Sequence, residues 1–395
     1  MPIDYDPFAE AVRNDPLPWY RRLRDEAPAY YMERYDAWAL SRFADIWEAS
    51  ADTERYSAAK GTTPAQLLTR DQQVAPMINL MDPPDHTRLR AALRGAFMPN
   101  GVRALEPTVR KLAAELLDAA RDRGGFDAVQ EFGGRVSVTT ACLAIGLPVE
   151  HGPRLTDLVQ RFFQHDPDSG GIAADGVAAL GELVDYCLEM VRERRRASPD
   201  SRTALDAVLR FEHDGRVLAD EEAASHLSML VIGASETFPK VLASGLVRLA
   251  EHPAQRARIA ADPSLVPDAF HEILRYDMPT QLLGRTVIRD VELHGQTMRA
   301  GQAVVFLYAS ANRDPREFHD PDRFDVARRP PRILSFGAGA HQCLGRHVAL
   351  MEGRVCFEEI LARFPKYELD LDRAVRLHTE FVQGFSSLPV RLGRS

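Results

Sequence analysis

Apolar residues recur at helical spacing through most of this chain, and at strand spacing in only a few short stretches. A first helix is expected over 16–26, with Trp19, Tyr20 and Leu23 on its apolar side. Residues 29–40 alternate loosely around Tyr30, Tyr31, Tyr35 and Trp38 and predict a strand pair. Ser41 is the candidate N-cap of a short helix ending near Ala49. Over 56–80 Gly, Thr, Pro, Gln and Asp interrupt every period, and a loop of that length is commonly functional. Helices are then predicted after Pro83-Pro84, over 102–121, 126–145, 155–163 and 172–197, and the longest over 220–248 with Asp220 as N-cap. Gly124-Gly125, Gly146-Leu-Pro148 and Asp166-Pro-Asp-Ser-Gly-Gly171 punctuate them. Short strands follow from Leu282 and around Gly295 and Gly301, and a last helix carries Val348, Met351 and Val355 on one face. The pattern predicts a mainly α chain with small β-sheets.

Three stretches break the pattern in chemically pointed ways. In the longest helix, Val231-Ile-Gly-Ala-Ser-Glu-Thr-Phe-Pro-Lys240 places an acid, two hydroxyls and a proline inside an apolar segment. Pro239 has no N–H for the Ser235 carbonyl, and the Thr237 hydroxyl is expected to bond back to the Gly233 carbonyl. The break either opens polar groups toward a cavity or is a kink selected for packing. Near the C-terminus, Phe336-Gly-Ala-Gly-Ala-His-Gln-Cys-Leu-Gly345 reads as a loop holding Cys343 at a helix mouth, with Gly337 and Gly339 free to take positive φ. The helix end is expected to favour thiolate, a nucleophile or a ligand for metals including haem iron. An inert buried cysteine and a three-ligand zinc site of His341, Cys343 and His347 remain open at this point. Upstream, His86 and Arg90 share one helical face and can clamp a carboxylate or simply face water.

Composition narrows the class. The chain has 395 residues, 45% apolar and 27% charged, without repeats or low-complexity runs. Its net charge of −8 argues against nucleic-acid binding. Only four of its 49 cationic residues are Lys, so no single Arg is a signal by itself. Cys142, Cys187, Cys343 and Cys356 have no disulfide spacing, the N-terminus has no signal pattern, and no run reaches the roughly 20 apolar residues of a membrane span. A soluble cytoplasmic protein is expected.

The spacing Phe336-x-x-Gly339-x-His341-x-Cys343-x-Gly345 resembles the haem-binding signature of the cytochrome P450 family. The resemblance implies that Cys343 is the proximal thiolate ligand of haem b, that His341 bonds a propionate and that Phe336 packs beside the ligand. Asp82-Pro-Pro-Asp-His86-x-x-x-Arg90 is similar to a second family pattern, which implies propionate contacts for His86 and Arg90, with Arg285 as a third. Gly233-Ala-Ser-Glu-Thr237 resembles the oxygen-activation stretch, making Glu236 and Thr237 the acid–alcohol pair. It departs from the usual pattern at Ala234, where Gly is common, and at Phe238, where a second hydroxyl is common. Glu272-x-x-Arg275 matches a structural motif whose third member would be Arg323.

In family order the matches run from about Asp82 to about Val390. They imply a single catalytic domain over 1–395, a triangular helical prism around a buried haem. The implied activity is insertion of one oxygen atom from O2 into a small or medium hydrophobic molecule such as a terpenoid, aromatic or steroid. No room is left for a reductase domain, so electrons are expected from a separate ferredoxin and its reductase, through a basic patch of Arg88, Arg94, Arg332, Arg346 and His347. A monomer is expected. The pocket candidates are Ile232, Gly233, Leu282, Leu283 and Phe385, beneath 56–80 and a lid flanking Gly171. A peroxide-driven peroxygenase and a non-catalytic haem sensor are the alternatives. The presence of Glu236 and Thr237 favours dioxygen.

Overall fold

The longest apolar helix is interrupted. In the computed structural model it forms two helices, Asp220–Ser235 and Thr237–Glu251, joined at Glu236 with φ −97° and ψ −37°. Pro239 leaves the Ser235 carbonyl without its ordinary partner, and one residue earlier the Ala234 carbonyl accepts from the Ser137 hydroxyl at 2.6 Å. The helix is capped one residue earlier than the sequence suggests: Asp220 is its first residue, and the Ala219 N–H donates to Glu222 Oε2 at 2.7 Å. The structure describes residues 3–70, 77–163, 173–197, 203–213 and 215–392. The expected breaker at 166–171, and with it the middle of the expected lid, lies outside the described residues.

Gly134–Ile145, Gly152–Phe162 and Ala174–Arg196 pack on the first half of this broken helix, and the turn Ala128–Gly133 with the strand Gln383–Ser387 on the second. The stretch 126–145 is not one helix. Gly125–Asp127 pairs with Pro389–Leu392, and the Asp127 carboxylate accepts from the N–H groups of Val129 and Gln130, so a wide turn precedes the helix. The helix Pro99–Arg123 lies along Arg346–Arg363 and ends on Gly124 at φ 80°. The basic end of Ala174–Arg196 is taken up by ion pairs of Arg194 with Asp206 and of Arg192 and Arg195 with Asp220.

The main sheet has the order Ala29–Met32, Ala37–Leu40, Ala303–Leu307, Leu282–Val287, Tyr56–Ser57. Only the Ala37–Leu40 and Ala303–Leu307 pair is parallel. Ser41 does not cap the next helix, Phe43–Ala51. The Phe43 N–H donates to Asp314 at 3.0 Å, a partner supplied from far along the chain, while the Ser41 hydroxyl turns to the Pro28 carbonyl. Among the described residues, Asp220–Glu251 is the one stretch long and apolar enough to cross a membrane, and most of it is buried in the protein.

Candidate active site

The cysteine loop is held from both ends. Gly337 and Gly339 take φ 63° and 68°, and a Cβ on Gly339 would collide with the Ser50 carbonyl. The Cys343 N–H donates to the Phe336 carbonyl at 2.8 Å, and Asn312 fixes the approach by accepting from the Leu334 N–H and donating to the Ser335 hydroxyl. Cys343 thereby faces a cavity of about 420 Å3 that reaches the helix break at Glu236 and Thr237. The Cys343 side chain is exposed to this cavity, and desolvation by the surrounding protein raises the thiol pKa against the lowering effects of the Gly345 N–H, Arg90 and Arg346. A coordinated metal deprotonates such a thiol outright.

Four cationic or potentially cationic groups converge beside this loop: His86 and Arg90 from the helix Asp85–Phe97, Arg285 from its strand, and His341. His86 and Arg285 are buried, and Arg90 donates to the Gln342 carbonyl. Among the described residues no carboxylate pairs with either arginine, and the buried His86 Nδ1 has no hydrogen-bond partner. A buried guanidinium (Arg285) and a half-buried one (Arg90), both without counter-ions among the described residues, fit a group that brings two carboxylates, as haem does. No cluster of three His, Cys, Asp or Glu suited to a metal occurs among the described residues, so the zinc reading falls.

The cavity wall is mainly apolar. Ile232 and Gly233 line it beside Glu236 and Thr237. The expected bond from Thr237 to the Gly233 carbonyl is not formed, and the Thr237 hydroxyl has no hydrogen-bond partner among the described residues. Phe238 is buried and packs near Phe270, at a centroid distance of 6.4 Å. Two pocket candidates are misplaced. Strand alternation turns Leu283 into the cavity and Leu282 to the opposite core, against Leu67, Leu68 and Leu307. Phe385 is buried in the main core under Arg376, and the preceding turn presents Phe381 and Val382 to the cavity instead.

Glu272 and Arg275 form a fully buried pair at 2.7 and 2.8 Å. Their third member is Arg328, not Arg323. Arg328 Nε lies 3.1 Å from Glu272 Oε1, whereas the Arg323 side chain is exposed and pairs with Asp325. Phe324 takes the inward position in that turn, so its neighbour Arg323 points out.

Other groups escaped the sequence reading. Lys240 pairs with Glu236, which an i, i+4 spacing could have suggested. Glu352, on the cysteine helix, is buried with its carboxyl pushed up to about 8 by burial, against a Thr140 hydrogen bond. Glu380 is a buried carboxylate in the cavity wall. The expected basic patch is also thinner than proposed. Arg332 is bound to Glu317 and stacked on Phe43 and Trp47, and Arg88 pairs with Asp85, leaving Arg94, Arg346 and His347 without acidic partners among the described residues.

The family model described as Cytochrome P450 matches residues 152–389. The chain belongs to the cytochrome P450 family. It is 38% identical to the putative cytochrome P450 123 of Mycobacterium tuberculosis over 388 residues, covering 98% of this chain and 96% of that one. It is 33% identical to the vitamin D(3) 25-hydroxylase of Pseudonocardia autotrophica, with 98% and 96% coverage. A mutant of P450 EryK in complex with erythromycin B superposes with a TM-score of 0.87 at 32% identity, over 98% of both chains. The fold is therefore the P450 fold, the activity is that of a P450 monooxygenase acting on organic molecules with O2 and a redox partner, and the cofactor of the family is haem b held by a cysteine thiolate.

Proposed function

We propose that this P450 hydroxylates a small or medium, largely apolar molecule, with Cys343 as the iron ligand and a separate ferredoxin as electron donor. The observation that carries the reading is the cavity joining Cys343 to Glu236 and Thr237, beside a cationic cluster that lacks counter-ions. His86, Arg90, Arg285 and His341 would hold the two propionates, and Phe336 and Gly345 would shape the space next to the sulfur. The chemistry that bound haem supplies is reductive activation of dioxygen, which a thiolate ligand favours by donating electron density.

The chain's own residues do the remainder. Ile232, Gly233 and Leu283 orient substrate by apolar contact and exclude water from its reactive carbon. Glu236 and Thr237 sit where the helix opens, so their side chains are free of the backbone ladder and can pass protons from cavity water. Glu272, Arg275 and Arg328 keep the strand-to-loop region behind the cysteine in register. A relative named for hydroxylating vitamin D(3) supports an apolar substrate of medium size. The reading takes the enzyme as a cytoplasmic monomer, and the burial of Asp220–Glu251 supports its being a core element of the fold.

The carbon monoxide difference spectrum of the reduced protein tests the ligand. A strongly red-shifted Soret band is expected, and Cys343→Ser should abolish it; a band that survives in the variant overturns the assignment. A panel of apolar compounds screened for a low-to-high spin shift then narrows the substrate.

A further inference from the structure

Lys240 is one of four lysines in a chain with 49 cationic residues, and it is buried at 4% exposure. One helical turn after the break, its ammonium reaches back to Glu236. It contacts Oε1 in a close ion pair and donates to the Glu236 carbonyl at 3.3 Å. Its stem lies on bare backbone: at Gly384, with φ 145°, a Cβ would sit 2.9 Å from Lys240 Cβ and 3.2 Å from Cγ. The pair is one-sided, since Glu236 lines the cavity and Lys240 does not.

A buried carboxylate in an apolar wall is strongly disfavoured unless an opposite charge accompanies it. Burial raises the Glu236 pKa and Lys240, the charged group acting on it among the described residues, offsets part of that rise. We propose that Lys240 is a positioning residue for the oxygen chemistry: its ammonium holds Glu236 ionised and aligned at the helix break, so that Glu236 begins each turnover as a proton acceptor. The carboxylate takes a proton from hydronium in the cavity, leaving water, gives that proton up toward the reacting oxygen and returns to the ion pair. The inference rests on Glu236 being the oxygen-activation acid, but its first test needs no haem.

Infrared difference spectra of the haem-free protein at neutral pH, wild type minus Glu236→Gln, should show loss of a carboxylate band. Loss of a protonated-carboxyl band would overturn the proposal whether or not any lysine variant folds. Lys240→Met should gain one protonated-carboxyl band, absent again in the Lys240→Met/Glu236→Gln double variant; an unchanged spectrum in folded Lys240→Met also overturns it. In the haem-loaded enzyme, Lys240→Met should raise peroxide released per product by about ten- to hundredfold, with substrate affinity from the spin shift little changed. Parallel loss of affinity and coupling would mark Lys240 as a packing element only. A failed carbon monoxide test would leave the infrared result standing, so the two failures are distinguishable.

Discussion

The imidazoles of His86 and His341 lie face to face, with ring centroids 4.0 Å apart and planes 25° from parallel. Burial, followed by Arg90 and Arg285, pushes His86 down to about 4. Burial, followed by Arg285, His86 and Arg90, pushes His341 down to about 2. Two neutral rings can stack so closely beside two guanidiniums, whereas two imidazoliums would repel. The cluster is thus arranged to receive negative charge from outside the chain.

This fixes the sign of a pH dependence. His86 has a folded pKa near 4 against an unfolded value of about 6.5, so between these limits the unfolded chain binds the proton that the folded chain declines. Stability of the haem-free protein should be full above about pH 6.5 and fall as pH drops toward 4, with His86 contributing about 1–2 kcal/mol after allowance for solvent screening. Urea unfolding at both ends of that range should show His86→Gln with a smaller acid loss than wild type. An identical loss would place the proton elsewhere.

Behind the cysteine loop, the revised ion network separates two neighbouring arginines. Removing Arg275 strands the buried Glu272 carboxylate, so Arg275→Ala should destabilise by about 3–5 kcal/mol. Arg328→Ala should cost about 1.5–3 kcal/mol, since Arg328 donates to Glu272 and to the His319, Asp320 and Arg323 carbonyls. Arg323→Ala, whose exposed side chain only meets Asp325, should stay within about 0.5 kcal/mol. Denaturant midpoints decide the ranking, and a larger loss at Arg323 than at Arg328 would reverse it.

Adjacent leucines on one strand give a comparable separation of fold from specificity. Leu282→Ala opens a hole in the core behind the sheet and should cost about 2–5 kcal/mol. Leu283→Ala enlarges the cavity and, because Leu283 is only half-buried, should move spin-shift affinities across a substrate panel while lowering the melting temperature less than Leu282→Ala does. Equal effects on both readouts would mean that the alternation does not divide core from cavity.

What the sequence made legible was local. The Phe336 to Gly345 loop, the His86 and Arg90 face and the break around Pro239 each lie within one element, where spacing alone fixes which groups meet. What it hid was set by distant partners or by a single step of register. Asp314 caps a helix beginning at Phe43, Arg328 displaces Arg323 because Phe324 turns inward, and Phe381 rather than Phe385 reaches the cavity. No pattern within a short window distinguishes those pairs. Lys240 was hidden differently: its spacing was visible, but its burial against Gly384 was not.

The unpartnered Thr237 hydroxyl separates dioxygen chemistry from direct use of peroxide. Thr237→Ala removes the hydroxyl proposed to pass protons at the open helix turn; if it does so, oxygen consumption should continue while product per electron falls and peroxide appears. A loss of about 10²-fold in coupled product formation is in the range for removing one general acid–base participant. If Thr237→Ala leaves coupling intact and added peroxide drives both proteins equally well, the peroxygenase reading gains the site.

Electron delivery can be tested on the reduced patch. Arg94 is exposed on the helix that carries His86 and has no acidic partner among the described residues, while Arg346 opens the cysteine helix and stacks over Phe336 at 5.9 Å. Arg346 also acts on the Cys343 thiol, so its reversal perturbs two things at once, and Arg94→Glu is the cleaner probe. Steering of an acidic ferredoxin by this surface predicts that Arg94→Glu slows first-electron transfer by about tenfold at low salt. The deficit should shrink as ionic strength rises and the Debye length falls below about 10 Å. Arg332→Glu, which breaks a pair with Glu317, should alter stability more than reduction rate. Reduction by Arg94→Glu at the wild-type rate across the salt series would remove this face from the electron path.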